Sequence, residues 1–282
     1  MIFWIASYPK SGNTWLRSLL SSYYYSEEGF FHQNLLGKIN QFPEKKYFTN
    51  FNYNPEIITD TSRFWIKAQE ILNKDKKLKF LKTHNLLGKI NNNSFTNIKN
   101  TIGAIYIVRD PRNIVTSLKN HFELTLDDAL DFMLNDKKFI YDHFKKNDFS
   151  DFQFLSSWEK NYQSWIKQNI FPVKLVKYED LNIKTFETFK DIIKFVEKIS
   201  KNKKKFDTIK AKNAIQSTSF NKMRKIEKTV GFSESLLSKN NFKKIPFFHL
   251  GPENNWKNIL SDSYQKKISL IFDKNLKELK YI

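Results

Sequence analysis

Lys10-Ser11-Gly12 stands between an apolar run, Ile2 to Ala6, and an amphipathic run, Asn13 to Tyr25. The succession reads as strand, anion-binding loop and helix. In such a turn the free backbone N–H groups of Ser11, Gly12, Asn13, Thr14 and Trp15 converge. The positive end of the helix dipole and the Lys10 ammonium add to their pull on a phosphate. A nucleotide-like anion is the ligand this chemistry fits. The loop is not a Walker A motif, which needs its lysine after the second glycine, whereas this lysine precedes the only one.

Two further groups of residues stand where strands end. Arg109 closes the apolar run Thr101 to Val108, and Ser117 follows eight residues later on a stretch that Pro111 opens as a helix. Ligands of open α/β sheets bind at such carboxyl ends, and the planar fork of an arginine can grip two phosphate oxygens at once. Arg112 is a secondary candidate for the same work. Lys82-Thr83-His84 ends the run that begins at Lys79. A histidine in that position, two residues from a lysine, is suited to taking a proton near neutral pH.

The segment Tyr8-Pro9-Lys10-Ser11-Gly12-Asn13-Thr14-Trp15 resembles the first signature of the PAPS-dependent sulfotransferases, Tyr-Pro-Lys-Ser-Gly-Thr-Thr-Trp, with Asn13 the one mismatch. The resemblance implies that this loop holds the 5′ phosphosulfate end of the donor. Arg109 to Ser117 is similar to the element that grips the 3′ phosphate through its arginine and serine. Lys82-Thr83-His84 is similar to the family's Lys-Thr-His, in which the histidine is the catalytic base. Asn85-Leu86-Leu87-Gly88 departs from the Leu-Pro that often follows. Tyr178-Glu179-Asp180-Leu181 resembles the turn whose tyrosine meets the adenine. Thr218-Ser219-Phe220-Asn221-Lys222-Met223 resembles the segment that lines the adenine pocket through Thr218 and Phe220. His249-Leu250-Gly251-Pro252-Glu253-Asn254-Asn255-Trp256-Lys257 matches the last family element in Gly251, Trp256 and Lys257. It carries His249 and Leu250 where a basic pair helps to hold the 3′ phosphate. A protonated His249 could still donate a hydrogen bond there.

These matches run in order from Tyr8 to Lys257. They imply transfer of a sulfuryl group from PAPS to a hydroxyl or amine, releasing adenosine 3′,5′-bisphosphate (PAP). His84 would be the base, Lys10 would meet charge on the leaving phosphate, and Ser117 would steer Lys10. The chemistry requires no metal. Two other readings remain at this point. A P-loop kinase of a small alcohol or nucleoside shares the strand, loop and helix, but lacks the Walker lysine and a clear magnesium-binding acid. A basic nucleic-acid-binding protein would use the net charge, and would show salt-sensitive affinity that PAP does not displace.

Composition bounds the rest. The 282 residues suit one α/β domain, 1–282, P-loop-like, with a central mainly parallel sheet flanked by helices. Cysteine is absent, so there is neither a disulfide framework nor a thiolate nucleophile, and the five histidines show no paired metal-ligand spacing. The formal charge of +19 comes from lysines spread along the whole chain, which reads as a solvated surface rather than a nucleic-acid site. No apolar stretch approaches a membrane span and no leader pattern precedes Ile2, so a soluble, cytoplasmic enzyme is expected.

Periodicity predicts strands over 79–83, 101–108 and 173–178. It predicts helices over 13–25, 64–72, 111–120, 126–134, 152–168, 181–199, 207–215 and 261–279. Residues 26–60 and 217–255 read as mostly irregular, and 201–205 as a solvated basic loop. The acceptor pocket is expected from 26–78 and 225–248, whose aromatic content leaves a phenol, a lipid, a sugar or a peptide open. Oligomeric state is not readable. The pattern of Lys225, Thr229, Val230 and Glu234 is similar to a sulfotransferase dimer motif, but it precedes Trp256 where that motif follows, and is taken as coincidence.

Overall fold

The computed structural model describes residues 1–141, 147–201, 205–238, 241 and 243–282. Residues 202–204 of the basic loop, His143, and residues 239, 240 and 242 of the expected acceptor wall lie outside the described residues. The strands in chain order are β1 (Ile2–Ser7), β2 (Lys79–Thr83), β3 (Lys89–Ile90), β4 (Asn93–Ser94), β5 (Thr101–Val108), β6 (Phe139–Ile140), β7 (Gln153–Phe154) and β8 (Val173–Lys177). The central sheet has the order β2-β1-β5-β8 with every pair parallel, while β3 with β4 and β6 with β7 are short antiparallel ladders.

β1 is central and buried along its whole length. Its alternation divides the core into two layers. Trp4 and Ala6 join Ala104, Tyr106 and Val108 on one face. Phe3 and Ile5 join Ile105, Ile107 and Val176 on the other. Registers of Ala6 with Thr83 and Tyr106, and of Val108 with Lys177, bring the carboxyl ends of all four strands to one edge. The residues just beyond those ends are therefore the ones that can meet.

The helices are α1 (Asn13–Tyr25), α2 (Trp65–Leu72), α3 (Pro111–Phe122), α4 (Leu126–Leu134), α5 (Trp158–Ile166), α6 (Tyr178–Ile183), α7 (Thr185–Ser200), α8 (Thr208–Ser217), α9 (Phe220–Val230), α10 (Trp256–Ile259), α11 (Asp262–Ile271) and α12 (Asp273–Glu278). α1 packs Leu16, Leu19, Leu20 and Tyr23 against the second core layer, which fixes the direction of its first turn toward the sheet edge. α3 starts as expected, with Pro111 in its first turn and the Asp110 side chain accepting from the Arg112 N–H.

Several boundaries differ from those the periodicity predicts. The 152–168 helix begins only at Trp158, because Gln153 and Phe154 are extended in β7. The 181–199 helix is two, broken at Lys184, whose φ of −123° and ψ of 54° are not helical. The closing helix is likewise divided at Phe272. The largest correction is α9, in a stretch read as irregular. Met223 is its one buried residue, and although Phe220, Met223 and Ile226 keep helical spacing, the stretch is mostly polar and charged. Residues 26–60 are irregular as expected, with 3₁₀ turns at Gln33–Lys38 and Lys45–Tyr47.

Candidate active site

A cavity of about 510 Å³ opens over the edge where the four strands end. Lys10, Gly12, Asn13, Thr14 and Trp15 line it from the loop after β1. His84 enters after β2, Arg109 and Ser117 after β5, and Tyr178 after β8. Thr218, Phe220 and Gly251 complete that side. Of the residues singled out in the sequence, Ser11 is the exception. Its hydroxyl is buried outside the lining, leaving only its backbone N–H to the site. Arg112 is also absent from the lining. Its guanidinium pairs with Asp110 at 2.7 Å and stacks 4.0 Å over the Trp256 ring, so it braces α3 instead.

The loop is held in the shape an anion needs. Lys10 has φ 66° and Gly12 φ 98°, so the chain turns sharply before α1 starts. A Cβ at Gly12 would stand 2.5 Å from Cδ2 of Tyr178, so glycine is what lets the tyrosine close on the loop. The Asn13 amide, where the family carries threonine, donates to the Ile5 carbonyl at 3.0 Å and Ser7 Oγ at 3.1 Å, pinning the loop to β1. Among the described residues, the N–H groups of Ser11, Gly12, Asn13, Thr14 and Trp15 have no partner. Orphan donors at a helix start are what a phosphate satisfies.

Arg109 joins the separate pieces. Its Nη1 donates to the Lys10 carbonyl at 3.2 Å and its Nη2 to the Gly251 carbonyl at 3.4 Å, while its Nε is buried without a partner. The guanidinium also lies 4.2 Å over the Tyr178 ring, which meets Trp15 edge-on at 5.8 Å. Gly251, at φ 54°, admits the Phe220 ring where a Cβ would come within 2.2 Å of it. Thr218 is buried and spends its hydroxyl on the Ala214 carbonyl. The Ser117 hydroxyl bonds to no described residue and faces the cavity.

The reactive groups cluster at the other end of the loop. His84 Nδ1 lies 2.7 Å from the Ser7 carbonyl, which can only accept, so the proton sits on Nδ1 and Nε2 keeps its lone pair. Its main-chain N–H donates to Gln153 Oε1 at 2.7 Å. Burial first, and Lys82 second, pull the imidazole down to about 3, so it is neutral near pH 7. Burial and then Arg109 bring Lys10 down to about 7, and its ammonium lies 4.2 Å over the Phe247 ring. His249 is also lowered, by burial and then Arg224.

Glu234 is the group the sequence reading missed. Its carboxylate accepts from Thr14 Oγ1 at 2.5 Å, pairs with Arg17 Nη1, and lies 3.6 Å from Lys82 Nζ. Burial alone would raise this carboxyl. Lys82 and Arg17 outweigh that and hold it well below the usual carboxylate range. The partnership spans more than two hundred residues and leaves no local mark. The one cue was the demand of two inward cations, Arg17 and Lys82, for a counter-charge. The pairing lies within the chain.

With this geometry in view, comparison with known proteins is decisive. The family model for the sulfotransferase domain matches residues 2–280. The chain belongs to the sulfotransferase domain family. The enzyme is accordingly a PAPS-dependent sulfotransferase. Among solved structures, its fold is similar to that of a retinol dehydratase in complex with androsterone and inactive cofactor PAP. That likeness has 17% sequence identity and a TM-score of 0.53, and covers 98% of this chain and 80% of that one. At this identity it speaks for the α/β fold with its parallel four-stranded sheet. Among the described residues, no helix of the sulfotransferase is long and apolar enough to cross a membrane.

Proposed function

We propose that the chain acts over 1–282 as one domain that transfers the sulfuryl group of PAPS to a hydroxyl or amine of a small-molecule or glycan acceptor. The observation that carries this reading is the meeting of Lys10, His84 and Arg109 around one cavity at the sheet edge. Bound PAPS supplies a sulfur made electrophilic by its bond to phosphate. The unpartnered N–H groups from Ser11 to Trp15 fit its 5′ phosphate. Arg109 and Ser117 fit the 3′ phosphate, since the guanidinium makes only long bonds to carbonyls. Tyr178, Thr218, Phe220 and Gly251 fit the adenosine end. The retinol dehydratase whose fold this chain resembles was solved in complex with inactive cofactor PAP, in keeping with a donor of that kind.

His84 Nε2 takes the acceptor proton as the acceptor oxygen bonds to sulfur and the bond from sulfur to the phosphate oxygen breaks. The electron pair leaves on that oxygen, where the Lys10 ammonium and the loop N–H groups meet the new charge. Ser117, facing the same cavity, orients Lys10 before the acceptor arrives. Radiolabelled sulfate transfer from PAPS to a panel of alcohols tests the assignment. His84→Ala and Lys10→Met should each lose roughly 10²–10³-fold in rate. Full activity in either variant removes its assigned role. No observation in the site favours the kinase or the nucleic-acid-binding alternative.

A further inference from the structure

We propose that the acceptor is a polyhydroxylated ring, a sugar or cyclic polyol, whose hydroxyl beside the reacting one is held by His121 with help from Gln153. The inference rests on the sulfotransferase reading with His84 as base. His121 stands on the last turn of α3, one turn beyond Ser117, and lines the cavity with it. The ring is 8% exposed. Among the described residues neither of its nitrogens has a hydrogen-bond partner. Nδ1 is sealed from solvent, so Nε2 is the nitrogen left to the cavity side. Lys10, Glu234, Lys82 and His84 are all near enough to act on its ionisation, and burial is the larger influence that keeps it neutral. A neutral imidazole nitrogen can pair with a hydroxyl as donor or acceptor.

Gln153 supplies the second contact. Its Oε1 is engaged by the His84 N–H, while among the described residues its Nε2 donates to nothing. Its side chain lines the same cavity, as do Asp151 and Lys82, the latter paired with Glu234. A sterol or simple phenol placed against His84 would leave the His121 Nε2 and the Gln153 Nε2 buried without a partner, which such sites resist strongly. The His121 ring meets Phe122 edge-on at 4.8 Å and Phe247 at 5.7 Å, and these rings line the cavity with Ile140 and suit the C–H face of a sugar-like ring. Polar groups set among apolar rings thus match a compound whose hydroxyls lie along its edge.

The test uses the full chain with PAPS and ring-matched acceptors: myo-inositol, methyl β-D-glucopyranoside, cis-cyclohexane-1,2-diol and cyclohexanol. PAP affinity is followed separately by calorimetry. Wild type should favour the diol over cyclohexanol at least about 30-fold in kcat/KM. His121→Phe should bring that ratio to within about threefold, mainly through KM, with PAP affinity unchanged. His121→Gln, which keeps a hydrogen-bonding side chain, should retain most of the preference. Equal use of cyclohexanol and diol overturns the inference, as does a His121→Phe ratio that stays at the wild-type value. Transfer to none of the polyols while PAP still binds overturns it as well. Absence of PAP binding by the wild type would overturn the donor reading itself, a result distinct from all of these.

Discussion

The two ends of the cavity are made in different ways. Its donor end stands on the sheet edge, where Arg109 and Tyr178 follow directly on β5 and β8 and Lys10 stands three residues beyond β1, so the strand registers fix their height. Its acceptor end is walled by side chains from distant segments, His121 at the end of α3, Gln153 in β7, and Glu234 and Phe247 beyond α9. A phosphate is recognised largely by backbone geometry and a few cations, which a short stretch of sequence can encode. An acceptor is recognised by a surface that exists only once separate segments pack together. The comparison predicts that changes at the acceptor end act through stability and acceptor choice, and changes at the donor end through nucleotide affinity.

The largest expected effect probes the join between the two ends. Glu234→Gln removes the carboxylate that pairs with Arg17 and Lys82, leaving buried positive charge undercompensated. Loss of about 3 kcal/mol in stability is expected by denaturant titration. The native carboxyl is held below its ordinary value of 4.5. Its contribution is therefore fully present above that value and is lost as pH falls toward the native one. Wild-type stability should drop faster than that of Glu234→Gln below about pH 4.5, and parallel curves would show that the pairing carries no weight. Next in size is Arg109→Ala, which should weaken PAP roughly 10- to 100-fold by calorimetry while leaving stability nearly intact. A loss confined to folding would mean that Arg109 serves only to join Lys10, Tyr178 and Gly251.

The same division explains what could be read from the sequence. The central strands were visible because parallel strands buried on both faces are nearly continuous apolar runs, Thr101 to Val108 above all. The loop at Lys10 and the arginine at 109 were visible because each is local to a strand end. α9 was hidden because apolar positions such as Phe220, Met223 and Ile226 are few among lysines, Arg224 and Glu227, and only Met223 is buried. The division at Lys184 was hidden because the apolar positions on either side keep helical spacing across it. Glu234 was invisible because its partners, Thr14, Arg17 and Lys82, lie far from it in the chain. Ser11, read from the start through its backbone N–H, keeps its hydroxyl buried outside the cavity lining. A motif names residues without saying whether the side chain or the backbone does the binding, and here it is the backbone N–H that is free.

The smallest expected effect sharpens the comparison at the lysine where the two ends meet. Lys10 is brought down to about 7 by burial and by Arg109, so its ammonium is partly lost in the free protein as pH rises through that value. A phosphate anion beside it favours the charged form, so binding must supply the missing proton. PAP affinity of the wild type should therefore be level below about pH 6.5 and decline severalfold between pH 7 and 9. Lys10→Arg keeps its charge across that range and should bind with a flatter profile, even if its longer fork lowers the affinity at every pH. Titration of PAP in buffers of different ionisation enthalpy checks the origin of the slope, because proton uptake should appear above pH 7 in the wild type and not in the arginine variant. A wild-type slope that persists unchanged in Lys10→Arg would assign the titration to another group, and Lys10 would then act on the leaving phosphate as a permanently charged cation.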